Sequence, residues 1–294
     1  MSLADILKGK QVLIFDGAMG TQLAARGLDE GCVQNIHNAE AIRLIHEDYV
    51  RAGAQVLITN TLTANRLSLE IAGYGDEVIR INRTGVELAR AAAGSLAVLG
   101  DISSTGRLLE PYGDATESDL GECFREQADI LAQSGVDGFI VETMIDLREA
   151  VCALRACRQV TSLPVFVSLS YSTMKNGGRT AMGNSVEECA RILGTEGADA
   201  VGVNCGTLDP FEVSRLVARF RDNSGLPLIA QPNAGKPKME KGKTVFDLSP
   251  EEFARGLMEC VRHGARFVGG CCGTGPDHIK AAAKMLKKIP DRSI

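Results

Sequence analysis

Eight short runs of β-branched and aliphatic residues recur along the chain. Each gives way to a small or polar residue, a loop, and then a stretch whose apolar positions have helical spacing. The runs are QVLIFDG (11–17), QVLITN (55–60), LAVLGDI (96–102), GFIVET (138–143), PVFVSLS (164–170), AVGVNC (200–205), PLIAQPN (227–233) and RFVGGC (266–271). They are nearly continuous in hydrophobic character, which suits strands covered on both faces, as in a parallel sheet. Between them AEAIRLIHEDYVRAG, LGECFREQADILAQSG and SPEEFARGLMECVRHG read as helices. The last opens with Ser249, Pro250 and Glu252, fitting an N-cap, a first-turn proline and the acid of a capping box. Gly53, Gly135, Gly197 and Gly264 stand just ahead of the next strand, where a helix end favours a left-handed residue.

Eight βα units in 294 residues, with no proline-rich linker, low-complexity tract or shift in composition, predict one α/β domain over 1–294. The expected architecture is a single (β/α)8 TIM barrel; an open doubly wound sheet is the competing arrangement. A barrel gathers its catalytic residues at the C-terminal ends of its strands. The residues that end these runs are Asp16, Asn60, Asp101, Glu142, Cys205, Asn233 and the pair Cys271-Cys272. Polar groups concentrated at one end of eight apolar runs are hard to explain as packing, so the active site is expected there.

Composition narrows the picture. With 45% hydrophobic residues the chain can bury a large core. A net charge of −5, interspersed charges, 4% aromatic residues and no tryptophan argue against a nucleic-acid-binding surface. The opening MSLADILKGKQVLIFDG has neither the layout of a signal peptide nor a membrane-spanning helix, so a soluble cytoplasmic protein is expected. Nine cysteines without a signal peptide point away from a disulfide framework and toward metal binding or catalysis. Cys123, Cys152, Cys157, Cys189 and Cys260 lie in helical segments and read as packed thiols, while Cys32 lies in a glycine-flanked loop.

Cys205, Cys271 and Cys272 are different. They end the sixth and eighth runs, which flank the seventh in a closed barrel. Neighbouring cysteines cannot bridge each other without strain, but three thiols facing one point form a soft site that favours zinc. Gly269, Gly270 and Gly273 around the pair would let the backbone bend so that both thiols turn to one ion. A structural zinc normally has four protein ligands, often in CxxC spacing, and the chain contains no CxxC. Three ligands leave a fourth position for water, a weak protein oxygen or a substrate. His278 is one further candidate, and a redox-active vicinal dithiol is the alternative use of the pair. Zinc deprotonates a coordinating thiol, and three protein thiolates would keep a fourth electron-rich. Such a site suits attack on an alkyl carbon better than it suits water activation.

At these residues the chain resembles the homocysteine S-methyltransferase family. The matching stretches are FDGAMGT (15–21), ITNT (58–61), GDI…TG (100–106), VET (141–143), GVNCGT (202–207), QPNAGKP (231–237) and GGCCGT (269–274), in order and over nearly the whole chain. The resemblance implies a catalytic Zn2+ held by Cys205, Cys271 and Cys272, with the L-homocysteine thiolate as fourth ligand. It implies that Asp16 and Glu142 hold the substrate ammonium group and that backbone N–H groups near Gly17 and Ala18 receive its carboxylate. The Asn233 oxygen could fill the fourth zinc position before substrate arrives. The implied product is methionine, and the methyl donor is left open among S-methylmethionine, betaine and a separate methyl-corrinoid protein. A chain of this length has no room for the folate, corrinoid and reactivation modules of a full methionine synthase.

Plainer roles remain open for several of these residues. Asp16 could cap the turn that follows it, Glu142 could pair with an arginine at the rim, and Asp101 and Asn60 could support loops. Leu62-Thr63 and Ser103-Ser104 depart from the Phe-Gly and Gly-Pro common among relatives, which puts the donor or the thiol in question more than the chemistry. The stretch 171–184, glycine-bearing and basic at Lys175 and Arg179, could be a lid, a donor-docking surface or an exposed loop. Two other readings accompany the methyltransferase: methylation of another small thiol, and a non-catalytic binding module built around structural zinc.

Overall fold

A computed structural model describes residues 3–240 and 242–288. Each of the eight runs contains a strand, and all eight pair in parallel. They are β1 (Leu13–Ile14), β2 (Val56–Ile58), β3 (Ala97–Ile102), β4 (Gly138–Met144), β5 (Val165–Leu169), β6 (Ala200–Asn204), β7 (Leu228–Gln231) and β8 (Ala265–Val268). Neighbours in sequence are neighbours in the sheet, and β1 pairs with β8. A parallel bridge from Phe15 to Val56 and a 2.7 Å hydrogen bond from the Gln55 N–H to the Ile14 carbonyl close β1 onto β2. That closure settles the choice between barrel and open sheet.

Alternation along the strands sorts the core into two layers, because successive strand side chains point to opposite faces. Leu13, Phe15, Val56, Leu99, Ile140, Phe166, Ile229 and Phe267 fill the barrel interior, with Leu3 of the first helix (Leu3–Lys8) packed among them. The Phe166 and Phe267 rings lie 4.7 Å apart between centroids, and Phe15 stacks on both. Residues of opposite parity, such as Ile14, Leu57, Val98, Val141, Val167, Val203 and Val268, face the helices. Arg266 donates to the Ile6 and Leu7 carbonyls, capping the first helix where it closes the bottom of the barrel.

The same alternation delivers polar groups to the top. Two residues beyond interior Leu99 comes Asp101, beyond Ile140 comes Glu142, beyond Phe166 comes Ser168, and beyond Ile229 comes Gln231; all are buried. The interior thus turns from aromatic to polar in one step of two residues.

The helices end as the glycines require: Gly53, Gly135, Gly197 and Gly264 have φ of 108°, 88°, 89° and 108°. Ser249 caps its helix (Pro250–Arg262), accepting from the Glu252 N–H at 3.3 Å. The reciprocal arm of the expected capping box is absent, because the Glu252 carboxylate accepts from the Ser249 hydroxyl instead of the backbone. Reciprocal boxes occur at Thr116–Asp119 and Asp209–Glu212. The stretch after β5 forms a short antiparallel hairpin, Tyr171–Thr173 with Arg179–Thr180, and a second hairpin, Lys238–Glu240 with Lys243–Val245, follows β7. Among the described residues no helix is long and apolar enough to cross a membrane.

Candidate functional site

The Sγ atoms of Cys205, Cys271 and Cys272 lie within 4.8 Å of one another at the top of the barrel, each partly exposed. Cys205 and Cys272 are 3.8 Å apart at sulfur. Tetrahedral zinc with bonds of about 2.3 Å to sulfur places two thiolates about 3.8 Å apart. That pair therefore already has the donor type and the spacing for such an ion, with the third sulfur within 4.8 Å.

Backbone contacts fix this arrangement. Cys205 follows β6 with φ of 54°, a left-handed conformation, and its N–H donates to the Gln231 carbonyl at 3.1 Å. The Cys271 N–H donates to the Pro232 carbonyl, and the Cys272 carbonyl accepts from the Ala234 N–H, both at 2.9 Å. The three glycines around the pair serve different needs. Gly273 has φ of 79°, and a Cβ there would lie 2.3 Å from the Phe246 Cβ. At Gly269 and Gly270 the constraint is close approach: a Cβ would lie 2.8 Å from the Phe15 Cβ or 2.4 Å from the Thr274 Oγ1. Gly273→Ala is accordingly expected to destabilise the fold by about 2–4 kcal/mol through combined φ strain and overpacking, and to loosen metal retention. Thermal unfolding and metal content of the purified variant check this.

The three thiols hold their protons unequally. The thiols of Cys271 and Cys272 stabilise a thiolate on Cys205 and bring its pKa down to about 3. Hydrogen bonding to Cys205 in turn raises Cys272 to about 12 and Cys271 well above the ordinary thiol range. Three carboxyls are shifted as well. Glu142 is raised to about 7, first by burial and then by the Cys205 charge. Burial also raises Asp16 and Asp101 well above the usual carboxylate range, and the Glu142 charge adds to both.

Their partners are few. Asp16 accepts from the Ile58 N–H at 3.0 Å, so it reaches across to β2 and does not cap the turn that follows it. Glu142 accepts from the Gln231 amide at 3.2 Å; among the described residues no arginine pairs with it. Asp101 does not brace a loop through its side chain: its Oδ1 is buried without a hydrogen-bond partner. Asn60 does support loops, donating to the Gly31 carbonyl and to Asn35. His46 sits 3.9 Å from Asp16, too far for a hydrogen bond, and burial lowers its pKa to about 4, leaving it neutral. Among the described residues no arginine or lysine pairs with these acids, so their ionised forms are buried without a countercharge.

Asn233 donates to the Gly206 carbonyl at 2.8 Å, its amide helps stabilise the Cys205 thiolate, and its Oδ1 is buried without a partner. The Ala18 N–H donates to the Thr274 Oγ1 at 3.1 Å, while the Gly17 N–H makes no hydrogen bond among the described residues. His278 is not a fourth ligand: its Nδ1 accepts from the Gly275 N–H and its Nε2 lies 3.1 Å from the Leu248 carbonyl. Gln231, Ser168 and Asn204 also belong to this mouth, although they were not picked out as candidates. The signal that finds them is parity, since each lies two residues beyond an interior position.

Fold and mouth together define a (β/α)8 barrel with a cluster of three cysteines that could hold a metal ion. The family follows from comparison: the model of the family described as homocysteine S-methyltransferase matches residues 13–286, and the chain is an enzyme of that family. Methionine synthase of Mycobacterium tuberculosis (strain ATCC 25618 / H37Rv) is 30% identical over 317 residues, covering 99% of this chain and 26% of that protein. Methionine synthase of Mycobacterium leprae (strain TN) is 30% identical over 308 residues, covering 97% and 25%. The chain thus spans about a quarter of the length of these curated relatives. Among solved structures, the metallated form of the homocysteine methyltransferase MmuM from Escherichia coli superposes with a TM-score of 0.79 at 24% identity, covering 96% of this chain and 99% of that one. This likeness is one of fold.

Proposed function

We propose that the chain transfers a methyl group to the thiol of L-homocysteine, forming methionine, at a zinc ion held by Cys205, Cys271 and Cys272. The observation that carries the reading is a three-sulfur cluster, one pair of it at tetrahedral zinc spacing, beside buried acids that no arginine or lysine pairs with among the described residues. When bound, zinc supplies Lewis acidity that lets the substrate thiol lose its proton near neutral pH.

The protein's own residues do the rest. Asp16 and Glu142 take the ammonium group, which neutralises carboxylates that burial otherwise disfavours. The substrate carboxylate is received at Gly17 and Ala18, where the Ala18 N–H must exchange the Thr274 hydroxyl for the ligand. Asn233 Oδ1, buried without a partner, would be the protein oxygen available to complete the donor set. The thiol proton leaves to solvent. The sulfur then forms a bond to the methyl carbon as the carbon–donor bond breaks, and its electron pair leaves with the donor. S-methylmethionine, betaine and a separate methyl-corrinoid protein are the donors to test. Buried acids without a cationic partner among the described residues favour an amino-thiol over a simple thiol as acceptor. Free thiols at all nine cysteines suit a reducing compartment, and we place the enzyme in the cytoplasm.

Adding L-homocysteine to zinc-loaded protein near neutral pH tests the reading without knowledge of the donor. Release of about one proton per zinc is expected, with none from the zinc-free protein and none on adding methionine. No release at full zinc loading would overturn the homocysteine assignment.

A further inference from the structure

We infer that Asn204 is a positioning residue whose buried side-chain amide clamps Thr143 in a left-handed backbone conformation and so holds the Glu142 carboxylate in the barrel mouth. The inference rests on the proposed role of Glu142 as an ammonium partner.

Thr143 has φ of 60°. For a β-branched residue this region is a genuine outlier, costing about 1–2 kcal/mol, and it persists only where the surroundings over-determine it. The Ser103 hydroxyl donates to the preceding Glu142 carbonyl at 2.7 Å, and Thr143 itself is gripped by the Asn204 side chain. Asn204 Oδ1 accepts from the Thr143 N–H at 2.8 Å, and Asn204 Nδ2 donates to the Thr143 Oγ1 at 2.7 Å. Both ends of the amide therefore grip the same residue. The Ser168 hydroxyl donates to the same Oδ1 at 2.6 Å from the intervening strand β5. Asn204 is fully buried, and Thr143 is partly exposed at the edge of the mouth.

The consequence falls on Glu142. The β4–β5 register shifts between Val141 and Met144, the irregularity lying where Glu142 and Thr143 stand. Bulges beside active sites re-aim side chains and interrupt pairing. Left to itself, Thr143 would return to extended geometry and carry the adjoining Glu142 with it. The clamp also spans the site: Asn204 directly precedes Cys205, so one amide links the acid of β4 to the first sulfur.

A four-way set made of the wild type, Asn204→Ala, Thr143→Gly and the double variant tests the clamp. Glycine adopts the left-handed conformation without penalty. Binding is read with zinc-loaded protein for L-homocysteine and for 4-mercaptobutanoate, the same thiol acid without the amino group. Asn204→Ala should keep zinc, weaken homocysteine about tenfold and change 4-mercaptobutanoate by less than about twofold. In the Thr143→Gly background the same change should cost less than about threefold, because the strain is gone. Thr143→Val, which removes only the Oγ1 acceptor, should weaken homocysteine in the same selective way and stands in if Asn204→Ala does not fold. Loss of zinc, equal weakening of both thiols, or an equal cost in both backgrounds would overturn the inference. A wild type that does not prefer homocysteine would instead remove the function assigned to Glu142. In that event the clamp itself is still read from unfolding midpoints, where Asn204→Ala should cost more with Thr143 than with Gly at that position.

Discussion

If zinc binds as proposed, Cys272→Ala is expected to leave a folded barrel that has lost most of its zinc affinity and most of its methyl transfer. Removing one sulfur of three leaves two thiol donors and Asn233 Oδ1 around the site. Loss of even an outer-sphere partner of a metal commonly costs 10–100-fold in affinity, so loss of a ligand should cost at least about 100-fold. Methyl transfer should fall by about 1,000-fold or more, since among the described residues no cationic side chain stands beside the cluster to replace the Lewis acidity of zinc. Stability should change little, by about 1 kcal/mol or less, because Cys272 is partly exposed at the rim and the packed layers lie elsewhere. Zinc content, melting temperature and turnover of the purified variant measure all three. The contrast matters because a structural zinc couples metal loss to unfolding: a variant that loses zinc and unfolds would turn the chain into a binding module. Full zinc retention in both Cys272→Ala and Cys205→Ala would sink the ligand assignment.

The barrel was legible because its strands are buried on both faces and so appear in sequence as apolar runs with a polar last residue. Cys205 and Cys272 are 67 positions apart, yet they could be brought together on paper once the strand count fixed which ends adjoin. Parity was harder. Whether Asp101 faces a loop or the interior depends on which alternate residues of β3 point inward, and that is decided by packing around Phe166 and Phe267, not by local pattern. For Glu142 the plainer alternative was an arginine partner at the rim; among the described residues none pairs with it, and the Gln231 amide stands there instead. The left-handed backbones of Thr143 and Cys205 left no trace at all. Non-glycine residues take that conformation under tertiary compulsion, and the compelling group, Asn204, is 61 positions from Thr143.

Glu142→Gln is expected to stabilise the zinc-free protein above neutral pH while removing its preference for homocysteine. The folded-state pKa of Glu142 is raised from 4.5 to about 7, by burial first and the Cys205 thiolate second, against one opposing hydrogen bond from Gln231. A raised carboxyl pKa means that the folded protein holds its proton more tightly than the unfolded chain does. The stabilising contribution is therefore complete below about pH 4.5 and is lost as pH rises through about 7. Glutamine has no proton to lose. The melting temperatures of variant and wild type should nearly coincide at low pH, diverge through neutrality and stay separated above it, by about 1–3 kcal/mol in stability. Substrate binding should move the other way. Removing one charge of a buried ammonium–carboxylate pair costs about 2–5 kcal/mol, so kcat/KM for homocysteine should fall by about 30-fold to several thousand-fold. 4-Mercaptobutanoate, with no ammonium to place, should bind as well as before or better. Parallel melting curves, or equal loss for both thiols, would mean that Glu142 is not the group that pays in stability for recognising the amine. The opposite signs in one variant separate this role from packing, because a merely structural glutamate would lose stability and binding together.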